Sequence, residues 1–394
     1  MSGGVVSAEL EALIADHLTK NPDARLDELV ELARQGLPLE DVAVLVQSVE
    51  ELVARARGFG RIQDLLGEPG VVEIMINGSG PVWIEKNGRL EPTQLYLGAV
   101  DVSVLVERVL QPLGLRVDPL SPYVDARLPD GSRINIVVPP VAVDGPVVTI
   151  RRFGVEPLAL DAFGPLEVVE LLIGLIEHRA SILVVGGTGT GKTTLLNALA
   201  GHIPVRTRIV TIEDTAELQL TGDHVVRLEA RPANREGLGE VTIRELVRNA
   251  LRMRPDRLIV GEVRGGEAFD LLLALNTGHA GSLTTCHSNG SLQALRRLET
   301  LALLGGVDLP VQAVRLQVLE AIDVVVHVER LGSGRRIVSV SEVVVPEDEQ
   351  SEPGDVRAAV REVWPDLSRP PRRRSVRSAL AATRIGDGSE AGRR

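Results

Sequence analysis

Gly186-Gly187-Thr188-Gly189-Thr190-Gly191-Lys192-Thr193 is the stretch on which the reading of this chain turns. It fits G-x-x-x-x-G-K-[ST], and its flanks supply the context that pattern needs: Ser181–Val185 reads as a buried strand and Gly191–Leu199 as a helix. The spacing has a chemical reason. Glycines let backbone N–H groups curl round phosphate oxygens at a helix N-terminus, where the peptide dipole favours negative charge. Gly187, Thr188, Gly189, Thr190 and Gly191 would form that cradle, and Thr194 would extend it into the helix. The Lys192 ammonium would reach the β- and γ-phosphates, and the Thr193 hydroxyl would be a ligand to Mg2+. The implied cofactors are ATP and Mg2+.

In a parallel sheet, ligands gather at the C-terminal strand ends. Arg257-Leu258-Ile259-Val260 is a strand-forming run that ends in Gly261-Glu262, so Glu262 is the candidate for Mg2+ and the attacking water. Arg208–Glu213 ends in Glu213-Asp214 in the same manner, which makes Glu213 a candidate for orienting or deprotonating water. Farther on, His279 and His287 bracket the short strand Ser282–Thr285. Two histidines without a third ligand argue against a metal cage and for a polar strand end that senses the γ-phosphate.

Outward from the loop, strand candidates at Ser181–Val185, Arg208–Glu213, Arg257–Gly261, Ser282–Thr285 and Ile322–Val328 alternate with helix candidates at Gly191–Leu199, Thr242–Met253, Glu267–Leu275 and Leu292–Leu303. That rhythm predicts an α/β domain over 166–345, with a parallel-rich sheet between helices. Residues 58–153 read as a smaller α+β domain, with an Asn87-Gly88 hairpin signal and a helix at Val100–Leu113. Residues 1–57 read as helical, from Leu10, Leu13, Ile14 and Leu18 and from Val42, Leu45, Val46, Val49 and Leu52 at helical spacing. The stretch 154–165, with two prolines, reads as a hinge, and 346–394 as a disordered tail.

Composition removes some functions. The 394 residues carry 54 acidic against 43 basic side chains, a net charge of −11, with four Phe, two Trp and two Tyr. That balance disfavours whole-molecule attraction to nucleic acid and leaves little material for stacking bases, so no nucleic-acid partner is expected. Cys286 is the single cysteine, which forbids an intramolecular disulfide and suits a reducing cytosol. No apolar run approaches the ~20 residues of a bilayer span, and no secretory signal is visible; a cytoplasmic location is expected. Arg369, Arg372, Arg373, Arg374 and Arg377 in the tail would allow a salt-screened contact with anionic lipid. Since every nucleotide box lies upstream, truncation after Val345 is expected to leave assembly and hydrolysis intact.

The loop, the box Ile212-Glu213-Asp214, the box Gly261-Glu262-Val263-Arg264 and the Gly-His…Thr-Cys-His box occur in that order. The set resembles the secretion ATPase superfamily of type II and type IV secretion and pilus assembly. Leu128-Pro129-Asp130-Gly131-Ser132-Arg133-Ile134-Asn135 and Thr149-Ile150-Arg151-Arg152-Phe153 are similar in particular to the Flp/Tad pilus ATPases of the CpaF/TadA type. The resemblance implies a homo-hexameric ring of RecA-like ATPase domains, each hinged to an N-terminal domain. It also implies inner-membrane platform proteins as partners, at the inner face of the cytoplasmic membrane. By the same resemblance Glu262 is the Walker B carboxylate, Glu213 the acidic-box carboxylate, His279 and His287 the His-box residues, and Arg133 and Arg151 the arginines that close on the phosphates. The tetracysteine zinc element of many type II enzymes is absent, which points to the Tad or type IV branch. A type IV secretion ring ATPase is the alternative within the class. A nucleotide-binding scaffold without hydrolysis is the alternative outside it, and a RecA-like DNA motor is disfavoured by the charge.

Overall fold

The computed structural model describes residues 8–21, 24–36, 42–57, 59–153, 158–231, 238–332, 334–345, 359–365 and 376. The chain divides into two compact units, Met1–Val155 and Glu156–Arg394.

The first unit opens with helices α1 (Ala8–Lys20), α2 (Leu26–Gly36) and α3 (Val42–Arg57), which share an apolar core of Leu10, Ile14, Leu29, Leu45 and Val49. A short α4 (Gln63–Gly67) leads into β1 (Val71–Asn77), β2 (Gly80–Lys86) and β3 (Arg89–Leu97), then α5 (Ala99–Leu110), β4 (Tyr123–Arg127), β5 (Arg133–Val137) and β6 (Val147–Arg151). The strands form an antiparallel sheet in the order β3-β2-β1-β6-β5-β4. Alternation sets its faces: Ile74 and Ile76, Ile134 and Ile136, and Val148 and Ile150 turn inward to a core shared with Val102, Leu105 and Val109 of α5.

The second unit runs α6 (Leu166–Glu177), β7 (Ile182–Gly186), α7 (Lys192–Ala200), β8 (Ile209–Glu213), β9 (Val225–Glu229), α8 (Ile243–Ala250), β10 (Arg257–Val260), α9 (Glu267–Asn276), β11 (Leu283–His287), α10 (Ser291–Leu304), α11 (Val311–Ala321), β12 (Val324–Leu331), β13 (Gly334–Val343) and β14 (Val360–Trp364). Its sheet has the order β14-β13-β12-β7-β11-β10-β8-β9, parallel from β12 to β9 and antiparallel across β13 and β14. Every residue of β7 and β10 is buried, as continuous apolar runs dictate when helices cover both faces. One core cluster lies under α6 and α7 and the other under α8 to α11.

Two expectations are corrected here. Leu160 and Phe163, read as hinge, form a helical turn and sit inside the core of the second unit, because apolar side chains three apart on one turn share a face. Residues 154–157 of the hinge lie outside the described residues. The stretch 346–394 is not uniformly without structure. β14 pairs with β13, and Val363 and Val376 are buried in one core cluster and Ala359 in the other. The arginine cluster 369–377 lies outside the described residues.

Truncation after Val345 is therefore expected to destabilise the second unit rather than leave it intact. Each buried valine contributes about 1.5–3 kcal/mol, and the loss is expected to lower the melting temperature by about 10 °C. Differential scanning calorimetry of the truncated chain checks this, and an unchanged transition would refute the packing role.

Candidate functional site

The site grows from the junction of β7 and α7. Gly189 and Gly191 have φ of +70° and +92°, which aims the loop backbone into a curl that side-chain-bearing residues resist. The Thr190 hydroxyl donates to the Gly187 carbonyl at 3.0 Å, and the Lys192 ammonium donates to the same carbonyl at 2.9 Å. Lysine thus folds back over the loop, where its partial burial lowers its pKa while Glu262 opposes that shift. Thr193 and Thr194 follow in the first turn of α7.

The sheet order decides which side chains meet. β11 lies beside β7 in a register that places His287 opposite Gly186, and the Ser288 N–H donates to the Gly186 carbonyl at 3.3 Å. β10 lies next, and the chain leaving it carries Glu262. β8 follows and ends on Glu213. Gly186, His287, Glu262 and Glu213 thus stand along one edge of the sheet, at the C-terminal ends of four adjacent parallel strands.

Glu213 is 3% exposed. Its Oε1 accepts the Glu217 and Leu218 N–H groups at 2.9 and 3.0 Å, while its Oε2 is buried with no partner among the described residues. Desolvation outweighs those two hydrogen bonds and raises its pKa to about 7. Glu262 is more open, and its Oε2 accepts from Arg264 Nη2 at 2.7 Å, while Arg264 Nη1 reaches Asp214 Oδ2 at 3.2 Å. One guanidinium thereby ties together the ends of β10 and β8. Two threonines hold the same segment in place: Thr284 Oγ1 donates to the Val260 carbonyl at 3.0 Å and Thr285 Oγ1 to the Gly261 carbonyl at 2.7 Å. Cys286, between them and His287, is buried, and burial pushes its thiol up to about 11.

His279 is not brought to this edge. The strand β11 runs between it and His287, and at about 3.3 Å per residue the two imidazoles emerge at opposite ends of the strand. His279 Nδ1 instead pairs with the Ala274 carbonyl at 3.0 Å, at the end of α9.

Arg133 and Arg151 belong to the first unit. They stand directly opposite each other on β5 and β6, and Arg127 faces Arg133 from β4. Three arginines in a row across adjacent strands repel, so the arrangement costs stability unless an anion or a carboxylate answers it. Glu73 answers on the far side, opposite Arg151. Arg127 also stands over the Phe153 ring, 5.7 Å from its centroid.

Arg127, Arg264, Thr284 and Thr285 are functional candidates that the pattern of boxes alone does not single out. Arg264 lies inside a quoted box, and its alternating position relative to Glu262 was the signal available. The donor set fits a nucleotide with its divalent ion: a loop curled for phosphate, one lysine on it, a hydroxyl at the helix start and carboxylates on neighbouring strands.

Residues 55–343 match the family described as Type II/IV secretion system protein. A Mycobacterium tuberculosis (strain ATCC 25618 / H37Rv) protein whose name ties it to conjugal transfer is 40% identical over 310 residues, covering 76% of this chain and 87% of the other. The conjugal transfer protein TrbB of Rhizobium radiobacter is 36% identical over 307 residues, covering 74% and 91%. Among solved structures, the Legionella pneumophila ATPase DotB aligns with a TM-score of 0.53 at 22% identity, over 75% of this chain and 83% of that one, a likeness of fold. With the glycine-rich loop, the ordered strand-end carboxylates and a match that spans both units, the chain belongs to the type II/IV secretion system protein family, the secretion ATPases that its boxes resemble.

Proposed function

We propose that the chain is an ATP-hydrolysing motor subunit that drives a type IV secretion machine or a Flp/Tad-type pilus. The observation that carries this reading is the single sheet edge along which His287, Glu262 and Glu213 stand, with the loop that bears Lys192 rising from its β7 end and the Glu262 charge acting on Lys192. A scaffold that only held nucleotide would have no use for a buried carboxylate at that edge with one oxygen left without a partner among the described residues.

In this reading the loop from Gly187 to Gly191, with Thr188, Thr190 and Thr194, cradles the phosphates, and Lys192 neutralises the terminal ones. Thr193 and Glu262 would hold Mg2+, which when bound would offset the charge of the β- and γ-phosphates. Glu213, whose buried Oε2 has no partner among the described residues, would accept a proton once water is admitted to that strand end, and His287 beside Gly186 would sense whether the terminal phosphate is present. Arg264 keeps the Glu262 carboxylate in one orientation until the site fills. Arg133 and Arg151 are proposed to add cationic stabilisation from the first unit. His279 takes no part in the chemistry and fixes the turn after α9.

The working form is proposed to be a homo-hexamer at the cytoplasmic face of the inner membrane, acting on membrane platform proteins. No helix among the described residues is long and apolar enough to cross a membrane, so membrane contact would be peripheral. The relatives named for conjugal transfer favour the type IV branch, and the boxes around Arg133 and Arg151 favour the Tad branch. Neighbouring genes for pilin-like proteins or for a conjugation cluster distinguish the two.

Glu262→Gln tests the reading. The amide keeps the shape of the side chain and removes its charge, so the variant is expected to retain nucleotide binding while steady-state phosphate release falls by about 10²-fold or more. Loss of nucleotide affinity with normal hydrolysis of what remains bound would remove Glu262 from the proposed role.

A further inference from the structure

The nucleotide site read above has a second flank, and this inference rests on that reading. In the sheet, β7 separates two sides. β11, β10 and β8 carry His287, Glu262 and Glu213 on one of them, and the antiparallel hairpin of β12 and β13 lies on the other. The hairpin register sets Arg330 directly opposite Arg335. Arg335 Nη1 donates to Thr194 Oγ1 at 3.2 Å, one residue past the hydroxyl assigned to Mg2+. A Cβ built on Gly191 would stand 2.9 Å from Arg335 Nε, and one on Gly189 would stand 3.7 Å from Arg330 Nη1. Both guanidinium arms therefore lie against the loop, on the side away from the carboxylates.

A bound nucleotide has two ends. The terminal phosphates belong with Lys192 and the carboxylates, so the nucleoside leaves the loop toward the hairpin. A purine base needs a flat face to rest on. Apart from its histidines, the second unit contains three aromatic residues, Phe163, Phe269 and Trp364. Phe163 is fully buried, and the other two pack against the apolar clusters. A guanidinium plane stacks on a base as an aromatic ring does. We propose that Arg335, with Arg330 lining the same flank of the loop, stacks on the base and so recognises the nucleoside end of the substrate. Gly191 is then glycine for two reasons, to turn the backbone and to admit the Arg335 side chain.

The test is equilibrium titration of the full chain with a fluorescent ADP analogue, competed with ADP, ATP and inorganic tripolyphosphate. Arg335→Ala is expected to weaken ADP and ATP together, by about tenfold, the size of one lost base stack. Tripolyphosphate has no base, and its competition constant is expected to stay at the wild-type value. Arg335→Lys keeps the charge without the plane and is expected to behave like Arg335→Ala; Arg330→Ala is expected to lose less, in the same direction. If circular dichroism finds Arg335→Ala unfolded, the lysine and Arg330 variants carry the test. Tripolyphosphate weakened as much as ADP would overturn the proposal by making Arg335 a phosphate ligand. Full rescue by lysine, or wild-type ADP affinity in folded variants, would overturn it as well. A wild-type chain that binds neither ADP nor tripolyphosphate would overturn the nucleotide site itself instead.

Discussion

Replacing Lys192 with alanine is expected to reduce ATP turnover by about 10³-fold, the scale on which one preorganised cation or donor stabilises a developing charge. The ammonium rests on the Gly187 carbonyl and belongs to neither core cluster, so its removal leaves packing untouched. The variant is expected to keep the wild-type circular dichroism spectrum and melting temperature. A phosphate-release assay decides the matter: turnover within a factor of two of wild type, from protein free of contaminating ATPase, would show that this loop is not the seat of hydrolysis.

Glu213→Gln is expected to separate activity from stability. The wild-type carboxyl titrates at about 7 in the folded chain and at about 4.3 when unfolded. Between those values the folded chain holds more protons than the unfolded one, so stability falls as pH rises through that window, and the cost is complete above 7. Glutamine has no charge to bury. The variant is expected to melt at or above the wild-type temperature at pH 8 while turnover drops by about 10²–10⁴-fold. Wild-type turnover is expected to decline as pH falls through about 7, as Glu213 becomes protonated, and the variant should lack that limb. A destabilised variant with near-normal turnover would make Glu213 a structural group.

Much of the second unit was legible because local signals there agree. Ile182–Val185 and Leu258–Val260 are apolar on both faces, as central parallel strands must be, and the loop between β7 and α7 has a spacing with a specific chemical reason. The elements that escaped reading owe their structure to distant partners. β9 is a five-residue edge strand with a charged residue in its middle, and its pairing with β8 decides it. β14 follows a long polar stretch and becomes a strand because β13 offers an open edge and Val363 has a core to enter.

The candidate site divides in the same way. Lys192, His287, Glu262 and Glu213 could be placed because each ends or follows a strand, and strand ends in a parallel sheet converge. His279 was grouped with His287 as a pair bracketing one strand and by the resemblance of their box, yet the strand between them carries them to opposite ends. Arg335 lies far along the chain from Thr194, and nothing local to either residue announces their hydrogen bond. Arg264 touches Asp214 only because β10 and β8 are neighbours.

Cys286 sits within β11 opposite Val185 of β7, wholly buried, with its thiol held in the protonated, unreactive form. The natural chain is therefore expected to be silent toward thiol-directed dyes, so that no cysteine-free background is needed before labelling; a maleimide titration of the folded chain checks this. A cysteine installed on an exposed position of either unit would be the one addressable thiol of the chain. A pair of them, one per unit, would make the chain an optical ruler for any separation that changes when ATP is added.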